Sequence, residues 1–295
     1  MGVEPASDTR RAALWMVGAI LSFTSMAVAG RAVQLQLDTF ELMLYRSLIG
    51  VALVLMVSSA LGARHTIRAH RMGLHLLRNL SHFAGQNLWF YGIAVIPLAQ
   101  AIAFEFTSPL WVAVLAALLL GERLTMFRVV ALAGGLAGVL MVAQPWVAPP
   151  SAGMGIAALA AVGFAGSAIF TKMLVRSESL ASILLWLTVM QAVFAAAICF
   201  ADGRVTWPSA ITWPWLVVVS VAGLTAHACL TSALRLAPAS VVMPMDFLRL
   251  PLIAVVGVVL YGEVLNPWVL LGAATIIGAN WLNLRAEARG TVTAG

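Results

Sequence analysis

The sequence predicts an all-α membrane protein of ten transmembrane helices, arranged as two inverted repeats of five helices each. Three observations predict this fold: the composition, the spacing of the apolar segments, and an internal repeat. Of the 295 residues, 62% are hydrophobic and only 9% are charged, whereas soluble proteins typically carry about 25% charged residues. A soluble fold could not cover that much apolar surface, so the chain must fold in lipid.

Ten apolar segments are separated by polar residues, prolines and glycines. Each is close to the length of about 20 residues that a helix needs to cross the hydrocarbon. The connections at Pro97 and near Leu236 are very short, so the helices that they join must form tight antiparallel hairpins. The predicted helices are 12–32, 40–61, 72–96, 98–120, 126–144, 153–174, 180–200, 211–234, 237–261 and 267–284.

Positive charge predicts the orientation, because cytoplasmic loops carry an excess of Lys and Arg. With the N-terminus inside, twelve basic residues fall in inside segments and two, Arg31 and Arg204, in outside loops. We therefore expect a multi-pass protein of the inner (plasma) membrane with both termini in the cytoplasm. The net charge of +6 does not indicate nucleic-acid binding, since the basic residues lie in short loops between apolar segments. The first apolar run, ending at Ala29, has features of a signal peptide, but the repeat includes it and predicts that it stays as the first helix.

An offset of 141 residues superimposes the two halves of the sequence. Phe23 then falls on Phe164, Tyr45 on Trp186, and Pro97 on Pro238, and Gly121-Glu122 falls on Gly262-Glu263. Each half has five helices, and an odd number means that the second half enters the membrane from the opposite side, as in many secondary transporters. The predicted repeats are 12–144 and 153–284. Three carboxylates at helix ends are expected to be solvated or to cap their helices: Glu41, Glu122 and Glu263.

The segment 91–145 resembles the EamA-type domain of the drug/metabolite transporter superfamily, and the resemblance covers essentially the whole chain. It implies a ten-helix bundle around a central cavity that often exports amino acids or other metabolites, with some importers of vitamins or nucleotide-like compounds. Glu105, inside the fourth helix, departs from the commonest family pattern. The matching elements are Pro97-Leu98-Ala99, Ser108-Pro109-Leu110, Leu120-Gly121-Glu122-Arg123 and the glycine-rich run 134–138, and more loosely Pro238, Pro251, Gly262-Glu263 and Gly278.

Ionisable residues inside the membrane are expensive and indicate function. The repeat places Glu105 on Asp246 and Gln86 on His227, so each half carries a polar group on its third helix and a carboxylate on its fourth. We predict that these four residues line the cavity and bind a substrate ammonium group or a coupling proton. His227 and Asp246 lie at the same depth, where they could hydrogen-bond. The alternative is that these residues only form structural hydrogen bonds between helices.

Three further residues are candidates for the cavity. Arg46 lies at a depth similar to that of Glu105, so it is either the ion-pair partner of Glu105 or a clamp for a substrate carboxylate. Arg249 follows Asp246 by three residues on one helix face, so these two either neutralise each other or bind substrate. His82 is the third candidate.

Three prolines lie inside the predicted fourth and ninth helices: Pro109, Pro244 and Pro251. Proline frees a backbone carbonyl and kinks a helix, and breaks at matching helices of an inverted repeat often flank the binding site. We therefore predict hinges at these prolines. Cys199 and Cys229 lie in apolar segments without metal-ligand spacing, and the sequence predicts no metal and no cofactor.

These features favour a secondary transporter that moves a small metabolite by alternating access. An amino acid or related zwitterion, exported, suits the mixed charges best. A proton-coupled exporter of drugs or cations is the alternative, followed by an importer of a vitamin or nucleotide-like metabolite. The sequence has no phosphate-binding loop for ATP and no G-x-S-x-G or H-E-x-x-H motif, so neither an ATP-driven pump nor an enzyme is predicted. The predicted partners are the substrate, the lipid bilayer and, in the alternative, protons; the oligomeric state stays open.

Overall fold

The computed structural model describes residues 8–120, 126–174, 177–201, 203, 205–237, 242 and 245–292. Within these ranges the regular elements are eleven α-helices and one short 3-10 turn, Arg64–Thr66. The helices are α1 Thr9–Val33, α2 Thr39–Ala60, α3 Met72–Val95, α4 Leu98–Glu105, α5 Ser108–Leu120, α6 Met126–Ala143, α7 Ala152–Leu174, α8 Leu180–Ala201, α9 Thr212–Leu236, α10 Arg249–Tyr261 and α11 Pro267–Val292.

The predicted fold class, an all-α ten-helix membrane protein, is confirmed. Six stretches of the described chain are long and apolar enough to cross a membrane by length and composition, among them the combined α4–α5 stretch Leu98–Leu118. Three shorter apolar helices accompany them: Val129–Ala143, Arg249–Tyr261 and Pro267–Leu282. The remaining long helix, α3, is the polar one, and its polar residues are turned into the protein.

Local capping explains where several helices begin and end. Asp38 accepts hydrogen bonds from the backbone N–H groups of Phe40 and Glu41, and Glu41 bonds back to the N–H of Asp38. This capping box fixes the start of α2. Pro97 precedes α4, where its missing N–H is not needed. At the end of α10, Gly262 has a φ of 63°, the left-handed conformation that stops a helix and favours glycine.

The predicted fourth helix is not continuous, which corrects the sequence prediction. A turn at Phe106 and Thr107 separates α4 from α5, and Pro109 is the second residue of α5. Proline cannot donate a backbone hydrogen bond to the preceding turn, so the helix breaks there. Two side chains donate to carbonyls at this turn: the Thr107 hydroxyl donates to the Phe104 carbonyl (2.7 Å), and the Asn280 amide donates to the Phe106 carbonyl (2.5 Å).

The predicted ninth helix breaks at the matching place. Phe247 and Leu248 form a turn before α10, and they are the repeat equivalents of Phe106 and Thr107. Pro251 is the third residue of α10, in the first turn, where proline is tolerated. The predicted hinge residue Pro244 lies outside the described residues. Both helices therefore break at equivalent positions of the repeat, although Pro251 lies one residue beyond the position equivalent to Pro109.

Helix packing is unchanged when the two halves are exchanged. α1 packs along α9, and α3 packs along α7, which is the same contact with the halves swapped. The pairs α2–α8 and α6–α11 each join equivalent helices of the two halves, and α4 packs against α10, which belongs to the equivalent broken helix. Such a pattern is that of two halves related by an approximate twofold axis, as expected for inverted repeats.

The polar face of α3 points to the centre of this arrangement. Five of its polar residues lie on one face of the helix, because two are neighbours and the others follow at spacings of three or four, and all five are buried. They are His75, Arg78, Asn79, His82 and Gln86. Opposite them, α7 approaches very closely, because a Cβ atom added at Gly163 would lie 2.6 Å from the Cα of Gly85.

Candidate functional site

Three charged residues meet where the two broken helices face each other. Glu105 is the last residue of α4, Arg249 is the first of α10, and Asp246 lies just before the second break. Arg249 Nη2 lies 2.8 Å from Glu105 Oε1 and 2.9 Å from Asp246 Oδ2, and its Nη1 lies 3.3 Å from Glu105 Oε2. One guanidinium therefore joins carboxylates from both halves. Discontinuous helices of this kind place polar groups at the membrane midplane.

Aromatic rings enclose this ion cluster. The Arg249 guanidinium lies over the rings of Phe23 and Phe106, at 4.8 and 5.1 Å from their centroids, within cation–π range. Phe106 in turn contacts its repeat equivalent Phe247 edge to face, with centroids 5.3 Å apart. Trp89 donates its indole N–H to Glu105 Oε2 at 2.7 Å. The cluster is thus a polar centre inside an aromatic shell.

The cluster retains unused hydrogen-bonding capacity. Two carboxyl groups share one guanidinium, so the group holds more acceptor atoms than this guanidinium contacts. Asp246 Oδ1 and Arg249 Nε have no hydrogen-bond partner among the described residues. The Arg249 side chain is only 3% exposed, and buried groups of this kind are normally paired. A bound molecule could supply the missing partners.

The two predicted histidines meet on the other side of Phe23. His227 contacts the ring of Phe23 edge to face at 5.6 Å and the ring of His82 at 5.8 Å. His82 also lies 3.4 Å from the Ser167 hydroxyl. The predicted hydrogen bond between His227 and Asp246 is not formed, because Asp246 is turned towards Arg249. A helical register can place two residues at one depth, but it does not fix the direction in which each points.

Gln86 and Arg46 are both buried without a carboxylate partner among the described residues. Gln86 is buried, and its Oε1 has no hydrogen-bond partner among the described residues. The predicted pair between Arg46 and Glu105 is not formed, because Glu105 bonds to Arg249 and Trp89 instead. Arg46 is buried, and its described polar contact is the sulfur of Met43, at 3.6 Å.

Sequence reasoning missed several buried polar groups near the site. His75 and Glu178 face each other at 3.9 Å with both side chains almost fully buried. Arg78 donates to Asn79 at 2.8 Å and to Thr171 at 3.2 Å. The polar stripe on α3 is the signal that could have found His75 and Asn79, whereas Arg78 is recognisable from the sequence as an ionisable residue inside the third helix. Glu178 gave no signal, because it lies in the loop between α7 and α8 and its burial depends on tertiary packing.

A second ion pair closes the predicted outer end of the molecule. Arg31 Nη1 bonds to Glu263 Oε1 at 2.5 Å, and Arg31 also donates to the carbonyls of Ile93 and Ile96. Glu263 accepts the backbone N–H of Leu98 at 2.9 Å. These contacts tie α1, the α3–α4 hairpin and the end of α10 together. Glu41 caps α2, which is one of the two expected roles, and also accepts the Thr206 N–H, whereas Glu263 is ion-paired with Arg31 instead of being solvated or capping its own helix. Glu122 lies outside the described residues.

A cavity of about 470 Å³ adjoins this outer end, lined in part by Gln100, Gln144 and Trp268. None of the predicted site residues lines it. We place the candidate site at the central cluster instead, because buried charges and unpartnered polar atoms collect there, whereas the outer cavity is bordered by exposed Trp268 and Leu265.

The comparisons with known proteins agree with this arrangement. The sequence pattern described as the EamA-like transporter family matches residues 10–144 and, again, residues 151–285. The chain is 31% identical to a riboflavin transporter of Rhizobium johnstonii over 98% of this chain and 95% of that protein. It is 25% identical to an S-adenosylmethionine uptake transporter of Rickettsia bellii over 92% of this chain and 93% of that protein. A crystal structure with 20% identity superposes with a TM-score of 0.64 over 94% of this chain and 98% of that chain, a likeness in fold.

Proposed function

The chain belongs to the EamA-like transporter family, and from this premise we propose that it is a secondary transporter of a small heterocyclic metabolite of the riboflavin type. The family and the transporter names of its relatives make it a multi-pass membrane transporter of a small molecule rather than an enzyme. The finer assignment rests on one observation: the riboflavin transporter relative matches over nearly the full length of both proteins.

The shape of the central site supports this substrate class. A flavin ring is flat and aromatic, with hydrogen-bonding atoms along one edge and a polyol chain. The site presents aromatic faces at Phe23, Phe106 and Phe247 around a polar centre with unpartnered atoms. Aromatic rings stack on a heterocycle, and a few placed polar groups fix its orientation.

Alternating access is the proposed mechanism. The exchange symmetry of the helix pairs supports a mechanism in which the two halves exchange conformations. In this structure the Arg31–Glu263 pair closes the end that we assign to the outside. Exchange of the two halves would open that end and close the opposite one.

We further propose that the inner membrane holds the protein with both termini in the cytoplasm. A cysteine replacing exposed Trp207 should then be labelled from outside, and one replacing exposed Arg64 should not.

A zwitterion such as an amino acid is the second candidate, and a separate observation favours it. The interior holds a carboxylate-rich cluster around Arg249 and, separately, an arginine without a described carboxylate partner, Arg46. These could bind an ammonium and a carboxylate group of one substrate. Export would be the direction expected for that class. An exporter of cationic drugs is less well supported, because the interior also holds the buried arginines Arg46, Arg78 and Arg249, which oppose a purely cationic substrate.

Counterflow in liposomes tests the proposal. Vesicles holding purified protein and unlabelled riboflavin should take up labelled riboflavin faster than protein-free vesicles, and Glu105→Gln should abolish the difference. Arg64→Gln is the control, because Arg64 is an exposed loop residue remote from the site. No riboflavin counterflow in the parent would reject this substrate. Counterflow of a labelled amino-acid mixture in the same vesicles would then favour the zwitterion.

A further inference from the structure

A small pocket lies between α2, α8 and α9, beside the central cluster. Its lining includes Arg46, Gly50, Thr188, Gln191, Ser220 and His227, and its volume is about 20 Å³. A cavity needs roughly 10–15 Å³ to hold one water-sized group. The pocket therefore has room for the end of a polar group, and not for a whole metabolite.

The pocket offers hydrogen-bond donors without acceptors to match them. Arg46 is 9% exposed, and no described carboxylate lies within ion-pair distance of it. Its guanidinium has only the Met43 sulfur and, at 5.8 Å, the face of the Phe90 ring. Gln191 is 2% exposed, and its Nε2 donor has no hydrogen-bond partner among the described residues. Two unrelated side chains on different helices thus have unused donors at one cavity.

The hydroxyl groups of the pocket do not supply the missing acceptor. Ser220 donates to the Leu216 carbonyl at 2.7 Å, and Thr188 donates to the Leu185 carbonyl at 3.0 Å. Neither hydroxyl is within hydrogen-bond distance of the Arg46 guanidinium or of Gln191 Nε2 in this structure. A buried guanidinium is expensive unless it is paired, so a group from outside the protein is the natural partner.

A glycine keeps space for the guanidinium. A Cβ atom at Gly223, on α9, would lie 2.7 Å from Arg46 Nη2, closer than real Cβ contacts. The glycine at position 223 therefore leaves room for the buried side chain of Arg46, which forms no ion pair with the described residues.

We propose that this pocket is a substrate subsite that binds an acceptor-only group with two neighbouring acceptor atoms. A guanidinium binds such a pair bidentately, whether it is a carboxylate or the carbonyl and ring nitrogen of a heterocycle. His227 connects the subsite to the main site, because it lines the pocket and also contacts Phe23, which lies against Arg249. The inference deepens the proposed function by naming where the acceptor edge of the transported molecule is held.

The first test needs no transported substrate. Formate, the smallest carboxylate, is titrated into the purified parent protein in detergent, and the unfolding temperature is measured. Formate should raise this temperature in the parent and in Arg64→Gln, and should have no effect in Arg46→Gln or Gln191→Leu. Without formate, Arg46→Gln should be at least as stable as the parent, because it removes an unpaired buried charge. Equal responses to formate in all four proteins would overturn the subsite.

The second test separates the two sources of the acceptor group. Counterflow of labelled riboflavin and of a labelled amino-acid mixture is measured with the same four proteins. An increase in KM of about tenfold or more in Arg46→Gln and Gln191→Leu for riboflavin identifies a heterocycle edge, and the same increase for amino acids identifies a carboxylate. The second result would keep the subsite while rejecting the riboflavin assignment. A KM unchanged in both variants would overturn the subsite even where riboflavin transport is established.

Discussion

At the scale of residues, the central ion cluster brings three ionisable side chains together in a largely buried environment. Arg249 is 3% exposed and is the common partner of Glu105 and Asp246. Breaking a buried ion pair by removing one partner is much more costly than replacing all partners by neutral groups. The stability of the protein should therefore depend on which of these side chains is changed, and in what combination.

The first prediction is that Arg249→Met destabilises the protein by about 3–5 kcal/mol, because it leaves two partly buried carboxylates, with side chains 17% and 13% exposed, without a counter-ion. The triple variant Arg249→Met, Glu105→Gln and Asp246→Asn should recover most of this loss. Chemical unfolding in detergent micelles measures both. If the stability losses of the three substitutions add, so that the triple variant is less stable than Arg249→Met alone, this account of the cluster is contradicted.

Sequence reasoning identified the members of this cluster but not all of its contacts. The spacing of three residues correctly indicated that Arg249 and Asp246 share a helix face, and they are in contact. The contact between Glu105 and Arg249 was not predicted, since the rotation of α4 against α10 depends on packing between the halves. Trp89 was missed as a partner of Glu105 for the same reason.

At the scale of elements, the broken helices are the feature that positions the site. The prolines in the sequence indicated where the breaks occur, but the two-residue turns and their side-chain partners appear only in the folded protein. Asn280 is an example: it is fully buried on α11, and its amide donates to the Phe106 carbonyl at the first break. The break is thus stabilised by a helix far away in the sequence.

The second prediction concerns this contact. Asn280→Leu should destabilise the protein by about 1–3 kcal/mol, because a buried carbonyl loses its donor. Thr275→Val, on the same helix, is the control; its hydroxyl bonds within the helix to the Leu271 carbonyl, so its loss should be smaller. Thermal unfolding of the purified variants measures the difference. Equal losses would show that Asn280 does not support the break.

The third prediction concerns the contact of α3 with α7. Gly163→Val should destabilise by about 1–3 kcal/mol through overpacking, since a Cβ atom there would lie 2.6 Å from the Cα of Gly85. Gly155→Val, on the same helix, is a matched control because no atom lies within 4 Å of its Cβ position. If both valines cost the same, helix propensity rather than the close approach of the backbones would explain the loss.

At the scale of the whole molecule, the two halves are equivalent in packing but not in chemistry. The repeat was visible in the sequence, and the exchange of helix partners follows it. Which end of the molecule is closed could not be predicted from the sequence, because it is a property of one conformation. In this structure the ion pair between Arg31 and Glu263 marks the end that is closed.

The repeat identifies the residues equivalent to Arg31 and Glu263, which belong to the opposite end of the molecule. Arg31 falls on Lys172 and Glu263 on Glu122, so each half supplies one cation and one carboxylate. Alternating access by exchange of the halves predicts that Lys172 and Glu122 pair when the outer pair separates. A hydrogen-bonded ion pair contributes about 1.5–3 kcal/mol, which corresponds to a shift of roughly tenfold or more between the two states.

The fourth prediction follows from this equivalence. Glu263→Gln should favour the outward-open state and Glu122→Gln the inward-open state. The probe is a cysteine replacing Thr24, a buried residue seven positions before Arg31 on α1, in a protein without Cys199 and Cys229. A membrane-impermeant maleimide added outside should label it about ten times faster in Glu263→Gln and more slowly in Glu122→Gln. The double variant Arg31→Glu, Glu263→Arg should return labelling towards the parent rate, because it restores the ion pair in reverse. Labelling changes of the same sign in both single variants would mean that the two carboxylates do not belong to opposite gates.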